Sequence, residues 1–269
     1  MSSLGRYIKL LRLFGEAKGS WTVQEMAEAL GRPPSTIYRT VRDLVGEGFL
    51  EPAYEAHYRL GPAFVEFDRL VRLTDPLVRA GHSHLHDLVT QAGVPCLALL
   101  ARLYGDTVLC VADAAFGSLP ARPSYERGRP MPLTRGATSK TILSLLPARR
   151  LSRLVTDSLA GTTGADEAAA RAELGELRGV LAGIRRSGYC ITRGEIDDGL
   201  VGIAVPIAAT GLGITASVSL VLDARSLDEK LEHRLVLQLV ASASLLVDQL
   251  TGLRAPSAPR ATSSLRDVE

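Results

Sequence analysis

Residues 22–45 read TVQEMAEALGRPPSTIYRTVRDLV, and this stretch decides the architecture on either side of it. Thr22 stands where a helix N-cap belongs, Glu25 three residues later completes a capping box, and Val23, Met26, Ala27 and Leu30 recur at helical spacing. Gly31 stops that helix, since glycine takes a left-handed terminal residue without a Cβ penalty. Arg32-Pro33-Pro34 breaks the chain, and Pro34 suits the first turn of a further helix running from about Ser35 to Val45. Ile37, Val41, Leu44 and Val45 form its inner face, and Gly46 and Gly48 end it.

Two helices that cross at so tight a turn need small residues where they touch, and Ala27 and Gly31 supply them. The second helix then presents Ser35, Thr36, Tyr38, Arg39 and Arg42 outward, with Arg32 just before its start. Arg39 and Arg42 are three apart and share a face, from which guanidinium groups reach phosphates or guanine edges when a helix enters a major groove. Two arginines on a helix also fit a merely solvated face; the flanking elements favour DNA. Upstream, Leu4, Ile8, Leu11 and Phe14 form a helical stripe with Arg6, Lys9 and Arg12 opposite. Downstream, Phe49, Leu50, Tyr54, Tyr58 and Leu60 surround a short polar tip, which suits the two strands of a hairpin. Three helices and a hairpin predict a winged helix-turn-helix over residues 1–61, with double-stranded operator DNA as its partner. Arg59, in the returning strand, is a candidate phosphate contact, and His57 beside it is expected to be simply polar and exposed. Glu51 and Glu55 at the wing would repel phosphate, so the wing is expected to contribute less than the helix.

The whole chain has 269 residues, 46% hydrophobic and 22% charged, with a formal net charge of +2. That is enough apolar material for two ordinary domains and excludes wholesale disorder. The charge is too near neutral to announce nucleic-acid binding, so local charge carries that argument. No signal peptide is read behind Met1, and no uninterrupted apolar run reaches the roughly 18 residues a membrane span needs. A cytoplasmic protein without membrane contact is expected. Cys96, Cys110 and Cys190 are too few and too scattered for a disulfide framework or a zinc site, and buried reduced thiols are expected. His82 and His86, four apart on a helical pattern, lack a third converging ligand nearby, so neither a metal nor any other cofactor is expected. No nucleophile elbow, triad spacing or phosphate loop is present, which argues against an enzyme.

A helical pattern from about Ala63 to Leu73 leads to Thr74-Asp75-Pro76, where proline forces a restart. Residues 62–75 are therefore read as a linker helix, 76–251 as a second domain and 252–269 as a disordered tail. The second domain opens with a helix to about Gln91. A hairpin follows, split by Tyr104-Gly105-Asp106, then helices at about Ala137–Leu146, Ala148–Ser158 and Ala165–Ser187. Strands return at Tyr189–Thr192, Val201–Ala208 and Ile214–Leu222, before a last helix at about Leu227–Leu250. A sheet flanked by helices, with the first and last helices packed together, makes the fold class α+β.

Three blocks of sequence resemble the IclR-type transcriptional regulators. The first is Thr22 to Gly31 with Ser35 to Arg39, Gly48 to Glu51 and Tyr58 to Gly61; the second is Arg129 to Leu133 leading to Gly136 through Lys140; the third is Gly188 to Glu195 followed by Gly199, Gly202, Ala204 and Pro206. The resemblance implies a winged helix-turn-helix, a linker helix and a GAF-like effector-binding domain, assembled as a homodimer or homotetramer that represses or activates catabolic operons. It also implies a small organic acid as effector, with a benzoate-like acid the leading expectation. The pocket it implies includes backbone amides of Gly136 and Ala137 at a helix N-terminus, a natural cradle for a carboxylate. Further pocket positions fall at Thr192, Gly202, Ser217 and Ser219. Thr192 stands where some relatives carry a carboxylate and Gly202 where they carry a thiol, which implies a roomier pocket. Glu195 is as compatible with a structural role as with ligand binding. Ser139 precedes Lys140 where the family usually has glycine. The competing reading is a small-molecule sensor or enzyme that uses its helix-turn-helix only for oligomer contacts.

Overall fold

The computed structural model describes residues 3–121, 123–161 and 167–252. The tail expected over 252–269 thus lies, apart from Gly252, outside the described residues. The chain divides into two compact units, Met1–Asp75 and Pro76–Glu269.

In the first unit, α1 (Ser3–Leu11), α2 (Val23–Leu30) and α3 (Pro34–Gly46) enclose a core of Leu10, Met26, Ala27, Ile37, Val41, Leu44 and Leu50. The capping box forms as read: Glu25 N donates to Thr22 Oγ1 at 3.2 Å and Thr22 N to Glu25 Oε2 at 2.8 Å. Lys18 meets the other Glu25 oxygen at 2.6 Å. That bond, with the Thr22 amide, lowers the Glu25 carboxyl to about 2. Gly31 is left-handed, at φ +60°. The hairpin consists of β2 (Leu50–Pro52) and β3 (His57–Leu60), and its tip turns through Glu55 and Ala56 at positive φ. The sequence reading missed β1 (Trp21–Thr22), which pairs with β3 to complete the sheet β1-β3-β2. Two residues are too short for any alternation to register. Then α4 (Ala63–Thr74) packs Phe64 and Phe67 on Phe49, with ring centroids 5.6 and 5.8 Å apart.

The second unit is built on an antiparallel sheet in the order β6-β5-β4-β9-β8-β7. These strands are β4 (Cys96–Tyr104), β5 (Thr107–Phe116), β6 (Pro130–Met131), β7 (Cys190–Arg193), β8 (Leu200–Ala209) and β9 (Ile214–Asp223). On one face lie α5 (Pro76–Ala92) and α9 (Glu229–Gly252), the first and last helices of the unit, over Ala98, Leu100, Ile203, Val205, Val218 and Leu220. On the other face lie α6 (Ala137–Ser144), α7 (Ala148–Gly161) and α8 (Glu167–Ser187), over Leu97, Leu99, Ala101, Ala204 and Val221. Alternate residues of each strand serve opposite layers, as the pleat requires.

By length and hydropathy α9 meets the criterion for a membrane span, although Gln238 and the serines after it interrupt the apolar run sought in the sequence. Its inner stripe, Leu235, Leu239, Ala243, Leu246 and Leu250, is buried in the core of the domain. The three cysteines are buried and free. Burial pushes the Cys96 and Cys190 thiols to about 11 and Cys110 to about 12, so thiolate chemistry is disfavoured at all three.

Candidate functional site

Burying Ile37, Val41 and Leu44 fixes the rotation of α3 and leaves its opposite face in solvent. Ser35, Tyr38, Arg39 and Arg42 are exposed on that face, Tyr38 to 55%. Arg32 is exposed just before the helix, while Thr36 is half-buried on its flank. Arg42 lies 3.8 Å from Asp43, and neither Arg32 nor Arg39 has an ion pair among the described residues. A helix carrying Arg39 and Arg42 outward, with Arg39 uncompensated and Arg32 at its entry, is suited to a polyanionic groove.

Arg59 differs from these. It is exposed, but its Nε is 2.5 Å from Oε1 of Glu51, directly opposite on β2. The pair explains the carboxylate at this position, which holds the arginine of the wing and offsets its charge.

In the second unit the sheet approaches α6 closely because the strand residues beneath it are small. Every residue of α6 but Lys140 is buried. Ser217 Oγ donates to the Thr138 carbonyl at 3.2 Å, and Ser219 Oγ lies 3.0 Å from Thr138 Oγ1. Both serines are fully buried, and their hydroxyls bind α6 to the sheet. The C-terminal end of α6 is held by Arg185, whose Nε donates to Ser144 O at 2.7 Å.

The N-terminal end of α6 is held by the chain itself. The amide of Gly136 donates to Glu195 Oε2 at 2.9 Å, and that of Ala137 to Thr192 Oγ1 at 3.1 Å. Glu195 Oε1 meets Lys140 Nζ at 2.6 Å, and Arg135 donates to the Glu195 carbonyl. Burial pushes the Glu195 carboxyl up, but Lys140 and the Gly136 amide outweigh it and hold it below the ordinary carboxylate range. The amides that the resemblance assigns to an effector carboxylate thus already carry a protein carboxylate and a hydroxyl.

Thr192 and Gly202 face each other as a cross-strand pair of β7 and β8, and with Tyr125, Glu195, Ile196 and Val221 they line one cleft. Its volume is about 20 Å³ in this ligand-free structure, room for about one water. Small residues at 192 and 202 do not open it because Tyr125 and the loop after β7 close in from the other side. Gly136, at φ +81°, marks how closely. A Cβ there would lie 2.7 Å from the Tyr125 hydroxyl and 3.0 Å from Ile196 Cγ1. Ser124 N donates to Asp197 Oδ2 at 2.9 Å and fastens the two closing segments together.

Tyr125, Ile196 and Asp197 escaped the sequence reading, since they stand on loops without periodicity and converge only through the fold. Burial, reinforced by the nearby Asp197 and Glu195 carboxylates, raises the Tyr125 phenol, which therefore stays a hydrogen-bond donor. Elsewhere, His82 and His86 stack edge to face at 4.9 Å on α5, and no group of three or more His, Cys, Asp or Glu side chains able to hold a metal occurs among the described residues.

Residues 3–53 match the IclR helix-turn-helix domain and residues 76–247 the bacterial transcriptional regulator IclR C-terminal domain. The HTH-type transcriptional regulator KipR of Bacillus subtilis is 24% identical over 244 residues, covering 90% of this chain and 94% of its own. A crystal structure of an IclR transcriptional regulator from Alicyclobacillus acidocaldarius superimposes with a TM-score of 0.74 at 22% identity, over 92% of this chain and 98% of that one. An IclR homologue from Microbacterium hydrocarbonoxydans, crystallised with 4-hydroxybenzoate, gives 0.73 at 20% identity, over 93% and 100%. The two domains come in order, as a DNA-binding helix-turn-helix and then an effector domain, and they make the protein a transcription regulator rather than an enzyme. The chain belongs to the IclR family of bacterial transcriptional regulators.

Proposed function

We propose that this regulator works in the cytoplasm as a homodimer or homotetramer on a near-palindromic operator, and that a small organic acid, benzoate-like in the first instance, sets its hold on DNA. The observation that carries the DNA half is the outward face of α3, where Ser35, Tyr38, Arg39 and Arg42 are exposed over a rigid apolar underside. The acid half is supported by the positive setting at the start of α6, where Lys140 and the Gly136 amide hold one carboxylate and Arg135 donates to the backbone carbonyl of the same residue. An incoming acid would take the place of Glu195 there, and the cleft beside Thr192 and Gly202 would widen to admit its body. The 4-hydroxybenzoate held by the Microbacterium homologue is the relevant chemical precedent.

Two measurements test the reading. In a gel shift with the DNA upstream of its own gene, Arg39→Ala and Arg42→Ala are expected to lose the shift; full retention by both variants overturns the assigned face. In a thermal-shift screen of aliphatic and aromatic acids against their amides, an acid that binds only the native state raises the melting temperature, by about 2.7 kcal/mol of stability at a hundredfold excess over Kd. Because Glu195 already fills the anion position, stabilisation by the amides alone would identify a neutral effector and overturn the acid.

A further inference from the structure

A cavity of about 320 Å³ opens on the flank of α3, where α1, the end of α2 and the turn between α2 and α3 meet. Arg6 and Lys9 of α1 and Arg32 of the turn line it, with the Thr36 hydroxyl beside them, and no carboxylate does. All three cations are exposed and none has an ion pair among the described residues. The segregation of charge is built into the helices. The acidic residue of α3, Asp43, lies on the far flank of α1, where the Tyr7 hydroxyl donates to it at 2.8 Å. Leu10, fully buried between the two flanks, fixes the rotation of α1 and sets Arg6 and Lys9 on the rim of this cavity.

We infer that Arg6 and Lys9, with Arg32, form a backbone-phosphate clamp that grips the strand alongside α3. The inference rests on the reading of α3 as the groove-entering helix. A helix with its side chains is about 10–12 Å across and the major groove is about 12 Å wide, so the flanks of an inserted helix lie against the phosphate walls. The outward residues Arg39 and Arg42 point at the groove floor. Thr36 is half-buried and, six residues before Arg42, lies about 120° around the helix from it, and so the cavity it lines sits at the wall. Cations on a wall meet the same phosphate whatever the base sequence, and they add affinity without selecting a site.

The test is fluorescence anisotropy of the full chain on two duplexes, one from the DNA upstream of its own gene and one of scrambled sequence, across a salt series. The variants are Arg6→Gln, Lys9→Gln and the pair, with circular dichroism confirming an unchanged fold. The pair is expected to weaken both duplexes by the same factor and to flatten the slope of log K against log salt by about 1.8, at about 0.9 per lost phosphate contact. An unchanged slope in the double variant, or a loss confined to the upstream duplex, overturns the clamp while leaving the α3 reading in place. A wild-type chain without affinity for either duplex overturns both. Millimolar inorganic phosphate binding that the substitutions abolish, with the salt slope unmoved, assigns the cavity to a free phosphate and overturns the backbone contact.

Discussion

The carboxylate of Glu195 accepts a hydrogen bond from the backbone amide of Gly136 at 2.9 Å, so an acidic side chain of this protein sits on the helix N-terminus where its effector's acid group is proposed to go. Any acid that binds there competes with a residue already charged, already paired with Lys140 and tethered by its own loop.

Neutralising the internal competitor should help the external one. Glu195→Gln is expected to bind 4-hydroxybenzoate roughly tenfold more tightly than the wild type, since about 1.4 kcal/mol of charge-assisted bonding to Lys140 becomes available to the ligand. Isothermal titration of both proteins decides it, and equal or weaker affinity in the variant would count against the competition.

The same substitution should leave a signature in acid. A carboxyl held below its ordinary range contributes stability that is fully present above the unfolded-state value, near 4.5 for glutamate, and lost as pH falls through the lowered folded value. The melting temperature of the wild type should exceed that of Glu195→Gln at neutral pH, and the gap should close as the pH is taken down from about 4.5. A gap that stays constant into strong acid would show that the charge of Glu195 is irrelevant to the fold.

Two glycines of the cleft should respond differently to alanine. Gly136→Ala places a Cβ at positive φ against Tyr125 and Ile196, and a loss of about 1–3 kcal/mol in denaturant melts is expected. Gly202→Ala meets only Ala137 Cβ and Thr192 Oγ1, each at 3.6 Å, so stability should hold while effector affinity falls as the cleft fills. Equal stability losses in the two variants would contradict the contact geometry.

Ser139 is 1% exposed on α6 and its hydroxyl has no hydrogen-bond partner among the described residues. Ser139→Ala removes a desolvated polar group and is expected to stabilise the chain by about 1 kcal/mol. Ser219→Ala, which instead strips Thr138 of its buried partner, should destabilise by about 1–3 kcal/mol. Urea melts of both variants, with opposite signs expected, provide the check.

On DNA, Arg39→Ala and Arg42→Ala should each cost about 1–3 kcal/mol of operator binding. Arg59→Ala should cost less, because that guanidinium is already engaged by Glu51. A wing substitution as damaging as either helix substitution would mean the Arg59–Glu51 pair opens on DNA.

By itself the sequence determined the first unit nearly in full. Local rules govern it: Thr22 and Glu25 cap each other three residues apart, Gly31 ends α2 through its own φ, and Ile37, Val41 and Leu44 turn Arg39 and Arg42 outward by helical period alone. The long strands and helices of the second unit were legible for the same reason. The tertiary structure alone decided the cleft. Glu195, Tyr125 and Ile196 reach Gly136 from segments far apart in the chain, along loops where no repeat records which way a side chain turns. Small residues at Thr192 and Gly202 suggested room, and it is the packing of those loops that sets the cleft at about 20 Å³ without a ligand. Ser217 and Ser219 share a strand face by sequence, but whether that face met a ligand or the Thr138 of a buried helix depended on what the fold laid over it. Helical and strand periods encode neighbours a few residues apart, whereas a binding cavity is the space left over between elements.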